Sequence, residues 1–590
     1  MRKRSILLYL GLVAGTAACG ASPQADSAAG SGWPPAVAER IPASWPYTPG
    51  AYATAAAGGM VTTDAPLATE VGVEVLRSGG NAVDAAVAVA FALAVVYPEA
   101  GNIGGGGFAV VRLANGDAAS LDFRETAPLA ATADMYLDEQ GEPTDRSVTG
   151  HLASGVPGSV AGLWELHQRY GTKPWAELLE PAIRLAEEGF IVDEDFAGSV
   201  RDAAERLALF PASAELFLPG GEPLRAGSTW RNPDLARTLR RIAEHGPAGF
   251  YEGETADLIV EEMRRGGGII THEDLRRYRA VWRDPIVFEY RGHRVYSMPP
   301  PSSGGVTLAL IANMIEGYDL GALGWNSPST LHLLAEVMRR AFADRNHLLG
   351  DPDFVEVPLA MLLSREYAAE RRADISPTMA TPSEAVAPGV LAGVREPEHT
   401  THFGVVDGAG NAVAVTTTIN ELYGSAVTVA GAGFLLNDEM DDFTSKPGAP
   451  NMFGLVQGEA NKIEPGKRML SAMTPVIVLD PAGQPLLVSG ARGGPRIITA
   501  VFQVLSNVVD HGMDVVSAVY APRIHHQHLP DVLYFEAGGL SESQVRALEA
   551  LGHRVEPRQG YIGNAPTLLR LGDVWTGVAD PRQGGLAASP

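Results

Sequence analysis

Cysteine is almost absent from this chain. Cys19 is the only one in 590 residues, so no disulfide can form within it. Positive charge is also scarce. Lys and Arg number 45 against 69 Asp and Glu, a formal net charge of −24. That excludes the basic surface which non-specific nucleic-acid binding needs. Long apolar runs are missing from the body of the chain. The most apolar segment there, Ala82 to Val96, is too short and too rich in Ala for a membrane span and reads as a buried core helix. No repeat of 20–50 residues and no heptad array is present. What remains, 46% hydrophobic and 19% charged, is the composition of a folded globular protein. The length suits several ordinary domains or one large layered α/β unit.

The N-terminus carries an address. Arg2, Lys3 and Arg4 precede an apolar run from Ile6 to Val13 and a small-residue stretch ending at Ala17, Ala18 and Cys19. This is the order of a secretory signal over residues 1–18. Cys19 stands where a bacterial lipoprotein is cut and lipidated, although Thr16 replaces the more usual Leu. An ordinary secretory signal is the alternative. Residues 19–50, rich in Ala, Ser, Gly and Pro, read as a lipidated tether. The expected location is therefore outside the cytoplasm, periplasmic or anchored to the outer membrane.

Further along, Thr63 or Asp64 is placed to cap a helix from Pro66 to Arg77, and Asn81 to cap the helix from Ala82 to Val96. Gly104 to Gly107 leads into a strand over Phe108 to Leu113. Asn115-Gly116 turns it back into Ser120 to Phe123. Residues 158–372 are mostly helical in pattern, and Pro299 to Gly305 makes an irregular break before another apolar helix. Residues 377–398 read as a connector rich in Pro, Ala and Glu. From Thr400 onward strands and turns dominate.

The chemistry gathers around Thr400. A threonine hydroxyl is a poor nucleophile unless a base lies beside it, and an N-terminal threonine carries such a base in its own α-amine. Internal Thr400 gains that amine only if the bond between His399 and Thr400 is cut. Residues Thr400 to Val406 and Ala412 to Ile419 are β-prone, with the turn-rich segment Asp407 to Asn411 between them. A hairpin centred on Ala409 sets Thr400 opposite Thr418, close enough for the two hydroxyls to interact. Threonines also occur in strands for packing alone.

Other segments are open to two readings. Gly490 to Arg496 is a glycine-rich turn after an apolar strand, and its backbone N–H groups can converge on an oxyanion; taken alone, it reads better as a plain turn. Arg124, with Glu439, Asp441 and Asp442 elsewhere, suits a zwitterion, guanidinium to carboxylate and carboxylates to ammonium. Taken by itself, the acidic run reads better as a solvated loop or a divalent-ion site. His525, His526 and His528 lack the partners of a metal site and read as packing.

Taken together, the motifs resemble the γ-glutamyltranspeptidase (glutathione hydrolase) family over nearly the whole of residues 59–585. They are Gly-Gly-Asn-Ala-Val-Asp from Gly79, Gly-Gly-Gly-Gly-Phe from Gly104, Asp-Phe-Arg-Glu from Asp122 and Pro-Ser-Ser-Gly-Gly from Pro301. Thr-Thr-His-Phe from Thr400, Asn-Asp-Glu-Met-Asp-Asp-Phe from Asn437, Ser-Ala-Met-Thr-Pro from Ser471, Gly-Ala-Arg-Gly-Gly from Gly490 and Pro-Arg-Ile-His-His-Gln from Pro522 continue the order. The resemblance implies an α+β N-terminal-nucleophile hydrolase, a four-layer αββα sandwich. It implies self-cleavage into a large subunit, 51–399, and a small subunit, 400–590, that stay together. Thr400 is then the nucleophile, supported by Thr418, with Gly493 and Gly494 as the oxyanion hole. Arg124 and Ser471 match positions that bind the α-carboxylate of a γ-glutamyl group, and Asn420, Glu439 and Asp442 match those that hold its α-amino end. The implied reaction takes the γ-glutamyl group from glutathione and hands it to water, an amino acid or a dipeptide, with no metal or organic cofactor.

Two departures from that pattern stand out. Ala472 follows Ser471 where the family commonly has a second serine, which removes a hydroxyl donor to the α-carboxylate. Phe453 stands where bacterial relatives often carry a lid tyrosine. An acylase of the same fold acting on another amide, such as a glutaryl amide, is therefore the alternative. A lipid-tethered binding protein without activity is a third reading, which intact Thr400, Thr418, Asn420, Gly493 and Gly494 disfavour.

Overall fold

The computed structural model describes residues 33, 36–47, 53–386, 400–452, 454–558 and 560–590. The expected signal with Cys19, most of the connector, His399 and Phe453 lie outside the described residues. Two seven-stranded sheets form the centre. One runs in the order Leu586–Ala588, Met60–Thr63, Thr401–Val406, Ala412–Thr418, Gly106–Arg112, Ala118–Asp122, Val281–Arg283. The other runs Ala53–Ala57, Val574–Val578, Thr567–Leu571, Pro485–Ser489, Val476–Leu479, His293–Ser297, Ile286–Tyr290.

Strand periodicity sorts the side chains of the first sheet into two cores. Phe403, Val405, Val413 and Val415 face a helical layer that includes Pro66–Arg77, Ala82–Val96 and Trp175–Glu188. Val406, Ala412 and Ala414 face the other way, into a core shared with Ile477, Val488 and Leu568 of the second sheet. The helices Gly304–Ile315, Pro328–Leu348 and Arg496–Val509 close that side. The result is the expected αββα sandwich. Ala82–Val96 is buried along its whole length, as its composition requires, and Asn81 caps it in a box with Asp84. Among the described residues no helix is long and apolar enough to cross a membrane.

Three expectations need correction. The helix Pro66–Arg77 is capped by Ala65 without a side-chain bond; Asp64 instead accepts from Thr401 Oγ1 at 2.9 Å and Asn564 Nδ2 at 2.6 Å. The helical middle also contains a β-hairpin, Ile286–Tyr290 with His293–Ser297, which forms one edge of the second sheet. Part of the expected tether is packed onto the body: Trp45 is buried and donates to Tyr520 O at 2.9 Å. A large ring with one donor gains more from that site than from water.

Candidate active site

Register brings Thr400 and Thr418 together. Thr401 pairs with Thr417 in the antiparallel hairpin, so Thr400 falls opposite Thr418 as the turn arithmetic requires. Thr400 Oγ1 donates to Thr418 Oγ1 at 3.5 Å, and both residues are buried. Thr418 Oγ1 also accepts from the backbone N–H of Asn420 at 2.8 Å. Asn420 adopts the left-handed backbone, φ 75°, to bring that N–H back, and Asn is among the few side chains that tolerate it. Asn102, which the sequence did not single out, donates to Thr418 O at 2.9 Å and to Thr417 Oγ1 at 3.2 Å. It thereby pins the strand end that carries Thr418.

Even-numbered side chains of this hairpin point between the sheets. His402, next along that face, meets Thr416 Oγ1 at 2.9 Å, and burial pulls its imidazole down to about 3. Its Nδ1 is engaged by Thr416, and burial disfavours its charged form.

The glycine turn sits at the mouth of the Arg496–Val509 helix. Gly493 has φ 129° and Gly494 φ 54°, values that L side chains resist. Gly494 lines the same cleft as Thr400. The helix N-terminus adds its partial positive charge to the turn's N–H groups, so the turn suits an oxyanion.

The charged residues converge on that cleft, which Arg124, Arg345, Asn420, Glu439, Asp442, Ser471 and Ala472 line with Thr400 and Thr418. The acidic run is buried as a short 3-10 turn, Glu439–Asp442, rather than solvated. Arg124 pairs directly with Glu439 and Asp442 and lies 3.5 Å from Glu125. Burial raises the Glu439 and Glu125 carboxyls; repulsion from Glu125 adds to it at Glu439 and from Asp442 at Glu125, and Arg124 opposes it at both. Glu439 Oε2 is buried with no partner, an acceptor left open for an ammonium N–H. Asp441 does not share this role. It accepts from Ser147 Oγ at 2.6 Å and Met452 N at 2.9 Å, which anchors the segment next to Phe453.

Ser471 is held by the irregular break before Gly304–Ile315. Ser303 donates to Ser471 O through its N at 2.7 Å and its Oγ at 2.6 Å, and Ser302 Oγ donates to Met473 O at 2.6 Å. Gly304 permits this approach: a Cβ there would lie 2.4 Å from Thr474 Oγ1 and 2.7 Å from Met473 O. Ser471 Oγ accepts from Met473 N at 3.1 Å, which leaves its proton to donate.

The histidine triplet is packing. His525 meets Thr499 Oγ1 and Gln527 Oε1, each at 2.9 Å; His526 meets Asp531 at 3.2 Å; His528 meets Ser383 O at 3.0 Å. Among the described residues one other cluster, His332, Glu336 and His553, is close enough to share an ion. Glu336 is already taken by Arg339, Arg340 and Thr381, and His332 Nδ1 faces His553 Nε2 at 2.6 Å. Two cations on its only carboxylate make that cluster a poor cation site. The sequence reading missed Asn102, Arg345 and the contacts of Asp64. None stands in a recognisable spacing, and each gains its role only from the pairing of distant segments.

The chain's likeness to known proteins agrees with this geometry. The gamma-glutamyltranspeptidase profile matches residues 68–589. The chain is 46% identical over 526 residues to the glutathione hydrolase proenzyme of Escherichia coli (strain K12), covering 89% of this chain and 90% of that one. It is 50% identical over 501 residues to the glutathione hydrolase proenzyme of Pseudomonas sp. (strain A14), covering 85% and 87%. Among solved structures, cephalosporin acylase from Bacillus halodurans superposes with a TM-score of 0.81 at 31% identity, covering 93% of this chain and 99% of that one.

Proposed function

The chain belongs to the gamma-glutamyltranspeptidase family, and on that premise we propose that it cuts itself before Thr400 and works through the freed threonine. It is a glutathione hydrolase and γ-glutamyltransferase. It takes the γ-glutamyl group from glutathione and related amides and passes it to water or to the amine of an amino acid or dipeptide. The observation that carries this is the convergence of Thr400, Thr418, Gly494, Arg124, Glu439, Asp442 and Ser471 on one cleft from segments far apart in sequence.

In the uncut chain the nitrogen of Thr400 is an amide and cannot accept a proton. Thr400 Oγ1 adds to the carbonyl carbon of His399, and the C–N bond breaks with a proton going to nitrogen. Water then hydrolyses the resulting ester, which leaves a free α-amine on Thr400. An α-amino group titrates near pH 8, so it is a competent base at neutral pH. In turnover that amine takes the Thr400 hydroxyl proton while Oγ1 bonds to the γ-carbonyl carbon. The Gly493 and Gly494 N–H groups and the helix N-terminus hold the oxyanion. The C–N bond breaks as the proton passes to the leaving amine, cysteinylglycine for glutathione. Water or an acceptor amine repeats the sequence on the acyl-enzyme. Thr418 keeps the hydroxyl oriented throughout. The large subunit is then 51–399 and the small subunit 400–590.

The acylase reading rests on Ala472 and on the likeness to cephalosporin acylase. Glu439, with its open oxygen, and Asp442 favour an acyl group that carries an ammonium, which a glutaryl group lacks. Turnover of a γ-glutamyl anilide against a glutaryl anilide decides between them. Preference for the γ-glutamyl compound is expected; preference for the glutaryl compound overturns the substrate assignment. Export and a lipid on Cys19 complete the proposal. Cys19→Ala should move the enzyme from the membrane fraction to the soluble periplasm, and unchanged fractionation would refute the anchor.

A further inference from the structure

Arg345 stands out in the cleft because no carboxylate pairs with it directly among the described residues. It projects from the Pro328–Leu348 helix, is 2% exposed and lines the same cleft as Thr400, Ser471 and Ala472. Its Nε donates to Ser303 Oγ at 2.9 Å and its Nη1 to Asn346 Oδ1 at 2.8 Å, both neutral acceptors. It makes no ion pair among the described residues. Arg339 and Arg340 on the same helix share Glu336, which shows how this fold ordinarily treats a buried guanidinium. Burial accordingly pulls Arg345 down to about 10, with only the charge of Asp442 acting the other way.

Arg124 is in the opposite condition. Its Nε donates to Met469 O, its Nη1 to Glu125 and Glu439, and its Nη2 to Asp442. Of the five N–H groups of a guanidinium, one remains. Arg345 by the same reckoning keeps three. A buried cation without a counter-ion is costly, and the cost is relieved when an anion arrives.

We propose that Arg345 is a second anion-binding group of this cleft, directed at the α-carboxylate of the γ-glutamyl substrate where Ala472 offers no hydroxyl. The inference rests on the γ-glutamyl reading and deepens it. Ser303 links the two sides of the pocket, since its Oγ accepts from Arg345 and donates to Ser471 O. Binding at Arg345 and at Ser471 is thereby tied to one hydroxyl.

The test uses the processed enzyme and two anilides. One is γ-glutamyl; the other is 4-aminobutyryl, which keeps the ammonium and lacks the carboxylate. Arg345→Gln should raise KM for the γ-glutamyl anilide by about tenfold or more while kcat changes little, and Arg345→Lys should recover part of the loss. The kcat/KM for the 4-aminobutyryl anilide should be the same in variant and wild type. Equal losses on both anilides, or an unchanged KM for the γ-glutamyl one, overturn the proposal and leave Arg345 a structural residue. Ala472→Ser is the second variant, for it keeps the buried cation. With Arg345 already serving the carboxylate, it should lower KM for the γ-glutamyl anilide by less than about threefold; a drop of about tenfold would show the carboxylate underserved and overturn the proposal. If wild-type enzyme fails to cleave the γ-glutamyl anilide at all, the function falls rather than the role of Arg345.

Discussion

In the proposed mechanism a single hydroxyl carries both self-cleavage and turnover, so Thr400 and its neighbours set the sharpest residue-level expectations. Thr400→Ala should run as one band on a denaturing gel and show no turnover. Thr418→Val removes an acceptor that also bonds Asn420 N; leaving a buried donor unsatisfied costs about 1–3 kcal/mol, or a fall in kcat of about 5–150-fold with processing slowed in step. Asp64 offers a pH test. Burial outweighs Arg492, Thr401 and Asn564 and pushes its carboxyl up to about 7. A carboxyl raised on folding gives stability that is full below its ordinary value near 3.8 and lost as pH rises through about 7. In the unprocessed Thr400→Ala background, Asp64→Asn should therefore flatten the fall in unfolding free energy across that window, by up to about 1.4 kcal/mol per pH unit. Parallel pH profiles for the two chains would contradict it. Thr400 and Thr418 were legible in the sequence because hairpin register depends on a short turn. Arg345 was not. On a helix that also carries Arg339 and Arg340 it reads as one more solvated charge, and only the packing of the Pro328–Leu348 helix against the Ser302–Gly305 break puts it in the cleft.

Two turns hold the site's elements in place, and both depend on glycine. Gly493→Ala forces a side chain into φ 129° and brings its Cβ 3.1 Å from Gly563 Cα. The turn must shift, and with it the proposed oxyanion donors. The expected result is a fall in kcat of about 10²–10³ with little change in KM; a normal kcat would remove the turn from the mechanism. Gly304→Ala should act on binding instead, because its Cβ collides with the Met473–Thr474 backbone that carries Ser471. Overpacking there should cost about 1–3 kcal/mol of stability and raise KM more than it lowers kcat. At this scale the sequence showed helix ends and hairpins well, as Asn81 and the Thr401–Val406 hairpin illustrate. It hid one edge of the second sheet. Ile286–Tyr290 and His293–Ser297 alternate in burial as strands should, but they stand inside a long helical stretch, and Val476–Leu479, which joins His293–Ser297 to the rest of the sheet, is far away in sequence.

In the whole molecule the proposed cut falls where it cannot release anything. Thr401–Val406 and Ala412–Thr418 lie mid-sheet, paired on one side with Met60–Thr63 and on the other with Gly106–Arg112. Leu586–Ala588, near the C-terminus, pairs with Met60–Thr63 as well. The two subunits should co-elute in native buffer and part only in denaturant. The interleaving also explains why the αββα architecture entered the sequence reading through resemblance. No local pattern says that strands more than 300 residues apart share a sheet. The most direct test of the account is intact-mass analysis of purified protein, acid-quenched during turnover of a γ-glutamyl anilide. It should find two chains, the smaller beginning at Thr400 and carrying one γ-glutamyl group. A single uncut chain, or an acyl group on the larger fragment, would contradict it.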